Sequence, residues 1–284
     1  MLGTVSRMEE LMQATINGIS IAYHDQGSGF PIVFLHAFPL SRMMWAPQEA
    51  ALAQDFRIVT LDLRGHGESD APLWQYTLEQ AADDVRGLLD HLAIPHAVFV
   101  GLSMGGYILF AFYRRYAERV KGLVLADTRA QADTAEGKLA RFELAQIAYK
   151  QGARAIADIM IPKLLSPATT QTRPELVQRV RAMIEGNEIS GIAGDLMAMA
   201  ARPDSLPLLD QVSCPTQVIV GELDLPTPPS DAKLMVERIP NARLTIIPGA
   251  AHLANLEQPE LFNETVRSFV STLVSHQRGY TNNC

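Results

Sequence analysis

The sequence predicts an α/β fold: a mostly parallel, twisted sheet with helices on both faces and a helical insertion between two of its strands. Three observations predict it. Short apolar runs of strand length alternate with longer stretches of helical periodicity, the arrangement that buries a parallel sheet on both faces. The apolar residues 97–100 run into Gly101-Leu102-Ser103-Met104-Gly105-Gly106 and then into a helix-like stretch over 107–116, which reads as strand, tight turn and helix. Between about residues 127 and 210 the strand signals vanish and only helical stretches remain.

The elements follow in order. Asn17-Gly18 is a hairpin signal inside residues 14–25, where Ile19, Ile21 and Tyr23 alternate with Ser20 and Ala22. Pro31-Ile32-Val33-Phe34-Leu35 is a continuous apolar run of the kind buried on both faces. Residues 56–61 are a second strand candidate. Thr77-Leu78-Glu79-Gln80 is a capping box, and Leu78, Ala81, Ala82, Val85, Leu88, Leu89 and Leu92 follow at helical spacing. Residues 120–126 are a strand ending at Asp127. Helices are expected over 135–152, 153–165, 173–186 and 190–201, with breaks at Gly152, Pro162, Ser166-Pro167, Pro174, Gly186 and Pro203. The sheet resumes over 216–220 and 242–247, and a last helix runs from Pro259 to about Leu273, before a polar tail expected to be loose. Residues 1–127 and 211–284 are therefore expected to form the core, and 128–210 a helical cap over the turn at Ser103.

Composition narrows the function. The chain has 284 residues, 48% of them hydrophobic and 19% charged, as in packed globular proteins. Its formal net charge is −7 and no block of lysine or arginine stands out, so neither nucleic acid nor an anionic membrane is an expected partner. Residues 1–7 contain no apolar core of signal-peptide length, and no apolar run approaches a membrane span, so a cytoplasmic protein is expected. Two cysteines, Cys214 and Cys284, are too few for a disulfide scaffold or a zinc cluster. Cys214 reads as a small packed residue and Cys284 as part of the tail.

The chemistry centres on Ser103. G-x-S-x-G between a strand and a helix is a nucleophile elbow: the turn is sharp, and the hydroxyl stands clear of the sheet. Side chains at Gly101 and Gly105 would collide with the packed turn. The N–H of Met104 is free at a helix start and suited to face an oxyanion. A serine needs a base, and the base needs an orienting group. Behind such an elbow the acid and then the base follow in the chain. After Ser103 the histidines are His252 and His276. His276 lies in the tail, whereas His252 follows the last strand, at the sheet end where ligands bind. For the acid, Asp224 lies just past residues 216–220, with Glu222 and Asp127 as rivals. A second oxyanion N–H is expected from the loop His36-Ala37-Phe38-Pro39, and Phe38 is the candidate because Pro39 has no N–H.

These stretches resemble the α/β-hydrolase superfamily over roughly residues 15–273. The matching pieces are 34–40, Asp62-Leu63-Arg64-Gly65-His66-Gly67-Glu68-Ser69, 101–106, 127–130, 221–224 and His252 with Glu257-Gln258-Pro259. The chain looks most like bacterial carboxylesterases with a small helical cap and the similar 3-oxoadipate enol-lactonases. The resemblance implies a triad of Ser103, Asp224 and His252, and oxyanion N–H groups from Phe38 and Met104. Ala37 departs from the glycine many relatives carry. It either narrows the loop or marks an ordinary backbone conformation there. His36, His66 and Arg64 read as loop-structuring. Haloalkane dehalogenases and epoxide hydrolases of this fold use aspartate at the elbow, so Ser103 excludes them. The triad implies no metal or organic cofactor.

The substrate pocket is expected among Phe38, Leu40, Trp45, Met104, Phe142, Ile147, Met160, Leu164 and Met197, an apolar set in which the methionines adapt to varied shapes. Within it Trp45, Phe142, Met160, Leu164 and Met197 are the substrate-binding candidates proper. No arginine or lysine is clearly dedicated to a carboxylate, although Arg129 and Arg202 lie in or near the cap. The expected function is hydrolysis of small carboxylic esters of short or medium acyl chain. An enol-lactonase and a C–C bond hydrolase with the same triad are the alternatives, and a non-catalytic receptor on the same fold is a further one.

Overall fold

The computed structural model describes residues 11–73 and 76–281, with side chains as far as residue 275. In chain order the elements are β1 Met12–Ile16, β2 Ile19–Gln26, β3 Pro31–Leu35, α1 Ala46–Leu52, β4 Arg57–Leu61, α2 Leu78–His91, β5 Ala97–Leu102, α3 Met104–Tyr116 and β6 Val120–Ala126. There follow α4 Ala135–Leu164, α5 Pro167–Thr172, α6 Pro174–Glu185, α7 Ile189–Ala201 and α8 Leu206–Leu209. The chain then continues with β7 Thr216–Gly221, α9 Pro229–Arg238, β8 Ala242–Ile247, α10 Ala254–Glu257 and α11 Pro259–Thr281.

The eight strands lie in the order β1-β2-β4-β3-β5-β6-β7-β8. β2 runs antiparallel to both its neighbours, and the pairings from β4 through β8 are parallel. The opening hairpin turns at Asn17 (φ 51°) and Gly18 (φ 82°), the left-handed pair that a two-residue hairpin requires. β5 and β7 are buried along their whole length, as central parallel strands must be when helices cover both faces. The Thr77 box forms as the sequence predicts: its hydroxyl accepts the Gln80 N–H and the Gln80 side chain accepts the Thr77 N–H, each at 3.1 Å.

After β3 the chain places β4 on one side and β5 on the other, so a crevice opens where the C-terminal ends of β3 and β5 diverge. That switch point is where ligands bind in open α/β sheets. The loop after β3 and the turn after β5 both face it.

All five helices α4–α8 lie between β6 and β7 in the chain. Gly152 (φ 80°, ψ 177°) breaks α4 where the sequence predicts a break. A Cβ there would meet nothing within 4 Å, so the glycine is needed for its backbone conformation and not for space. Pro162 does not break α4, which continues through it to Leu164. At the other end of the chain the backbone of α11 stays helical to Thr281, past the expected end near Leu273 and into the stretch expected to be loose. The expectations for residues 1–7 and Cys284, and for the side chain of His276, lie outside the described residues. Cys214 is buried and unpaired. No described helix is long and apolar enough to cross a membrane.

Candidate active site

Ser103 sits between β5 and α3 at φ 56° and ψ −111°, a left-handed conformation that a side chain other than glycine rarely adopts. The flanking glycines are there for space. A Cβ on Gly101 would come within 2.6 Å of the Gly105 backbone, and one on Gly105 within 2.3 Å of the Leu35 carbonyl oxygen. One on Gly106 would lie 2.4 Å from Thr128 Oγ1, whose hydroxyl donates to the Ser103 carbonyl at 2.8 Å. Small residues therefore let α3 start directly against β3 and β6, and the turn stays sharp enough to push the Ser103 side chain forward.

Three side chains from three strand ends meet there. His252 Nε2 lies 2.8 Å from Ser103 Oγ. His252 Nδ1 lies 2.9 Å from both carboxylate oxygens of Asp224. With the proton on Nδ1, donated to Asp224, Nε2 is left to accept the serine proton. All three residues are buried. Asp224 also accepts the Thr227 N–H at 3.0 Å and the Thr227 hydroxyl at 2.7 Å. Burial by itself raises the Asp224 carboxyl, but the facing His252 and the Thr227 donors outweigh it and hold it below the ordinary aspartate value. Gly221 lets the two loops approach, since a Cβ there would stand 2.1 Å from the Ala251 carbonyl oxygen.

Neither rival acid bonds His252. Glu222 is exposed and accepts the Gly249 N–H at 3.0 Å. Asp127, at φ 42°, is fully buried and accepts the Gly221 N–H at 2.7 Å. Burial first, and then the charge of Asp224, raises its pKa well above the ordinary value.

The loop after β3 is fixed by local bonds. His36 Nδ1 donates to the Ala37 carbonyl, and its Nε2 accepts the Leu63 N–H, each at 3.0 Å. Burial lowers His36 to about 4 and His66 to about 3, so both rings are neutral. The Ala37 N–H donates to Met44 Sδ at 3.2 Å. Ala37 is not among the left-handed residues, so its methyl is accommodated by an ordinary backbone conformation. A cis peptide joins Phe38 to Pro39. Asn187, between α6 and α7, donates to the Pro39 carbonyl and accepts the Gly67 N–H, both at 2.8 Å. Neither the Phe38 nor the Met104 N–H is taken up by a protein acceptor among the described residues.

The expected pocket residues scatter. Trp45 is fully buried between Phe34 and Phe262 and belongs to the core. Leu164 is buried too, and its carbonyl accepts the Leu253 N–H next to His252 at 3.1 Å. Met160 is partly buried against the core. Phe142, nearly half exposed, and Met197 line an outer groove between α4 and α7 together with Leu73 and Tyr149, and Ser103 does not line that groove. Helical periodicity marks both faces of α4 and α7 as apolar, which is why the sequence does not separate a pocket-lining face from a solvent-facing one.

Arg129 and Arg202 are both engaged. Arg129 and Arg202 reach Asp133 Oδ1 at 2.8 and 2.9 Å, and Arg141 also binds Asp133. Arg202 is buried over the Tyr107 ring, 4.1 Å from its centroid, and donates to the carbonyls of Met199 and Gln131. Despite burial, Arg141 and Arg202 hold the Asp133 carboxyl far below the usual range.

Known proteins resemble this chain in sequence and in fold. A 3-oxoadipate enol-lactonase of Acinetobacter baylyi is 30% identical over 264 residues, 93% of this chain and 97% of that protein. A thermophilic esterase from Thermogutta terrifontis superposes with a TM-score of 0.90 at 39% identity, over 93% of this chain and 99% of that one. The enol-lactonase from Burkholderia xenovorans LB400 does so at 0.86 and 32%, over 92% and 100%. The profile of the alpha/beta hydrolase fold matches residues 31–259, and the chain belongs to that family.

Proposed function

We propose that the protein is a serine carboxylesterase acting on esters of short or medium acyl chain. The observation that carries this reading is the hydrogen-bonded series Ser103–His252–Asp224 at the crevice of the sheet. Ser103 attacks the ester carbonyl while His252 Nε2 takes its proton. The N–H groups of Phe38 and Met104 hold the oxyanion. His252 then protonates the leaving alcohol, and a water activated by His252 cleaves the acyl-enzyme. Asp224 keeps the proton on Nδ1 and stabilises the imidazolium. In this reading residues 128–210 act as a cap that screens the acyl-enzyme.

The lactonase reading is favoured by the two Acinetobacter baylyi enol-lactonases, 30% and 32% identical to this chain. A dicarboxylic lactone calls for a cation to hold its free carboxylate. Arg129, Arg141 and Arg202 already converge on Asp133, which supports the simple ester instead.

Steady-state hydrolysis of p-nitrophenyl acetate, butyrate, octanoate and laurate beside 3-oxoadipate enol-lactone, with Ser103→Ala as the blank, tests the reading. Fast turnover of the short esters with little on the lactone is expected. A lactone efficiency above that of every ester would transfer the function to the lactonase.

A further inference from the structure

We infer that Glu257 is a positioning residue for His252, tying the loop of the base to the junction of α4 and α5. The inference rests on the Ser103–His252–Asp224 reading above. His252 lies in a turn between β8 and α10, with no ladder or helix to hold its backbone. Buried peptide N–H groups in such a loop need acceptors. Glu257 is itself buried. One of its carboxylate oxygens accepts the Ala251 N–H at 2.6 Å, immediately before His252, and the other accepts the Ser166 N–H at 2.9 Å. The Leu253 N–H, immediately after His252, donates to the Leu164 carbonyl. Arg173, just ahead of α6, donates to the carbonyls of Leu256 and Glu257 at 3.3 and 3.0 Å.

Both peptide N–H groups that flank the base are thus claimed by Glu257 or by the end of α4. The requirement is for a carboxylate. Two separate N–H donors each need an acceptor, and charged acceptors make the stronger bonds. A glutamine would offer one acceptor and turn its NH2 toward the other donor. From the opposite side Gly221 packs against the Ala251 carbonyl. The loop is therefore held between β7 and the insertion, so docking of the α4–α5 junction and placement of Nε2 against Ser103 are one arrangement.

The test compares the full chain with Glu257→Gln, Ser166→Pro, Ser166→Ala and Ser103→Ala. Ser166 has φ −64° and Leu165 before it φ −114° and ψ 147°, angles that a proline at 166 tolerates. Ser166→Pro deletes that N–H and both hydroxyl bonds to Thr169, and Ser166→Ala, which loses the two hydroxyl bonds but keeps the N–H, is its reference. Three quantities are read: kcat and KM on p-nitrophenyl butyrate, thermal unfolding, and the far-downfield proton resonance of His252 Nδ1–H. In Glu257→Gln, kcat is expected to fall about tenfold to a hundredfold with KM within about twofold. The Nδ1–H resonance should shift or broaden while the protein is fully folded at the assay temperature. Ser166→Pro is expected to lower kcat severalfold below Ser166→Ala, again with KM held.

An unchanged resonance and kcat in Glu257→Gln overturns the inference, as does a kcat loss that only follows the folded fraction. Should Glu257→Gln not fold, Ser166→Pro decides, and a kcat equal to that of Ser166→Ala overturns it. Ester turnover that survives Ser103→Ala sinks the triad reading instead, whatever Glu257 does.

Discussion

Asp127 Oδ1 accepts the Gly221 N–H at 2.7 Å, three residues ahead of Asp224. The carboxyl at the end of β6 therefore braces the turn that presents the acid of the proposed triad, and burial favours its neutral form. Asparagine copies the shape of a protonated aspartate and keeps the carbonyl acceptor. Asp127→Asn is expected to hold kcat within about tenfold of the parent. Asp224→Asn, which leaves His252 with the wrong tautomer, is expected to lose on the order of 10⁴. Steady-state ester hydrolysis decides, and the reverse ranking would move the acid to Asp127.

The same residue gives a stability prediction with a definite sign. A carboxyl raised in the native state contributes stability that is complete below its unfolded value, about pH 4. That contribution is lost as pH rises through the raised native value. Asparagine does not titrate. The Tm difference between Asp127→Asn and the parent should therefore grow in favour of the variant as pH rises above about 4. Thermal unfolding at several pH values measures it, and a difference independent of pH would show that Asp127 is ionised in the native protein.

Most of what positions the site is legible in the sequence because it is written in short-range terms. The elbow glycines are there for contacts as close as 2.3 Å, and a pattern of five residues reports that crowding. Thr77 and Gln80 specify their helix start with two bonds between neighbours in the chain. Asp224 and His252 are legible because each follows a strand. The helix Pro229–Arg238 is not, since it buries only Ala232 and Met235 and leaves a weak apolar stripe behind two prolines. Nor is the interior place of Trp45, because an aromatic residue in a loop after β3 fits a pocket wall as well as a core. Glu257 stands in a motif that the sequence displays, but its partners Ala251 and Ser166 lie 6 and 91 residues away, and the second separation is invisible to any local pattern.

His36 and His66 predict the acid limit of the fold. Burial is the main cause of their lowered values, about 4 and about 3, against an unfolded value near 6.5. A histidine lowered in the native state contributes stability that is present above its unfolded value and is lost as pH falls through the native one. Unfolding free energy should therefore drop as pH falls below about 6.5, by as much as about 2.7 kcal/mol per pH unit when two protons are taken up on unfolding. Asp127 and Asp195, whose Oδ2 lies 3.3 Å from His66 Nδ1, titrate in the opposite sense over part of this range, so the slope is cleanest with both replaced by asparagine. Denaturant midpoints that stay level from about pH 6.5 to about pH 4.5 would mean that the two rings are not held neutral in the fold.

The backbone of Ser103 makes the last prediction, one that separates strain from chemistry. Ser103→Ala and Ser103→Gly both remove the hydroxyl, and each should lose turnover by on the order of 10⁴ or more. They differ in what φ 56° demands of them. Alanine keeps the Cβ that makes this conformation unfavourable, a cost of about 1–3 kcal/mol for a residue held outside its ordinary range. Glycine is freed of that cost but gives up about 0.5–1 kcal/mol through the greater freedom of its unfolded chain. The first effect is the larger, so Ser103→Gly should unfold later than Ser103→Ala, by about 1 kcal/mol at the midpoint. Since neither variant turns over substrate, the comparison reads only the fold. Equal stability would mean that the elbow holds Ser103 without strain, and the forward placement of its hydroxyl would then rest on the close packing of Gly101, Gly105 and Gly106 alone.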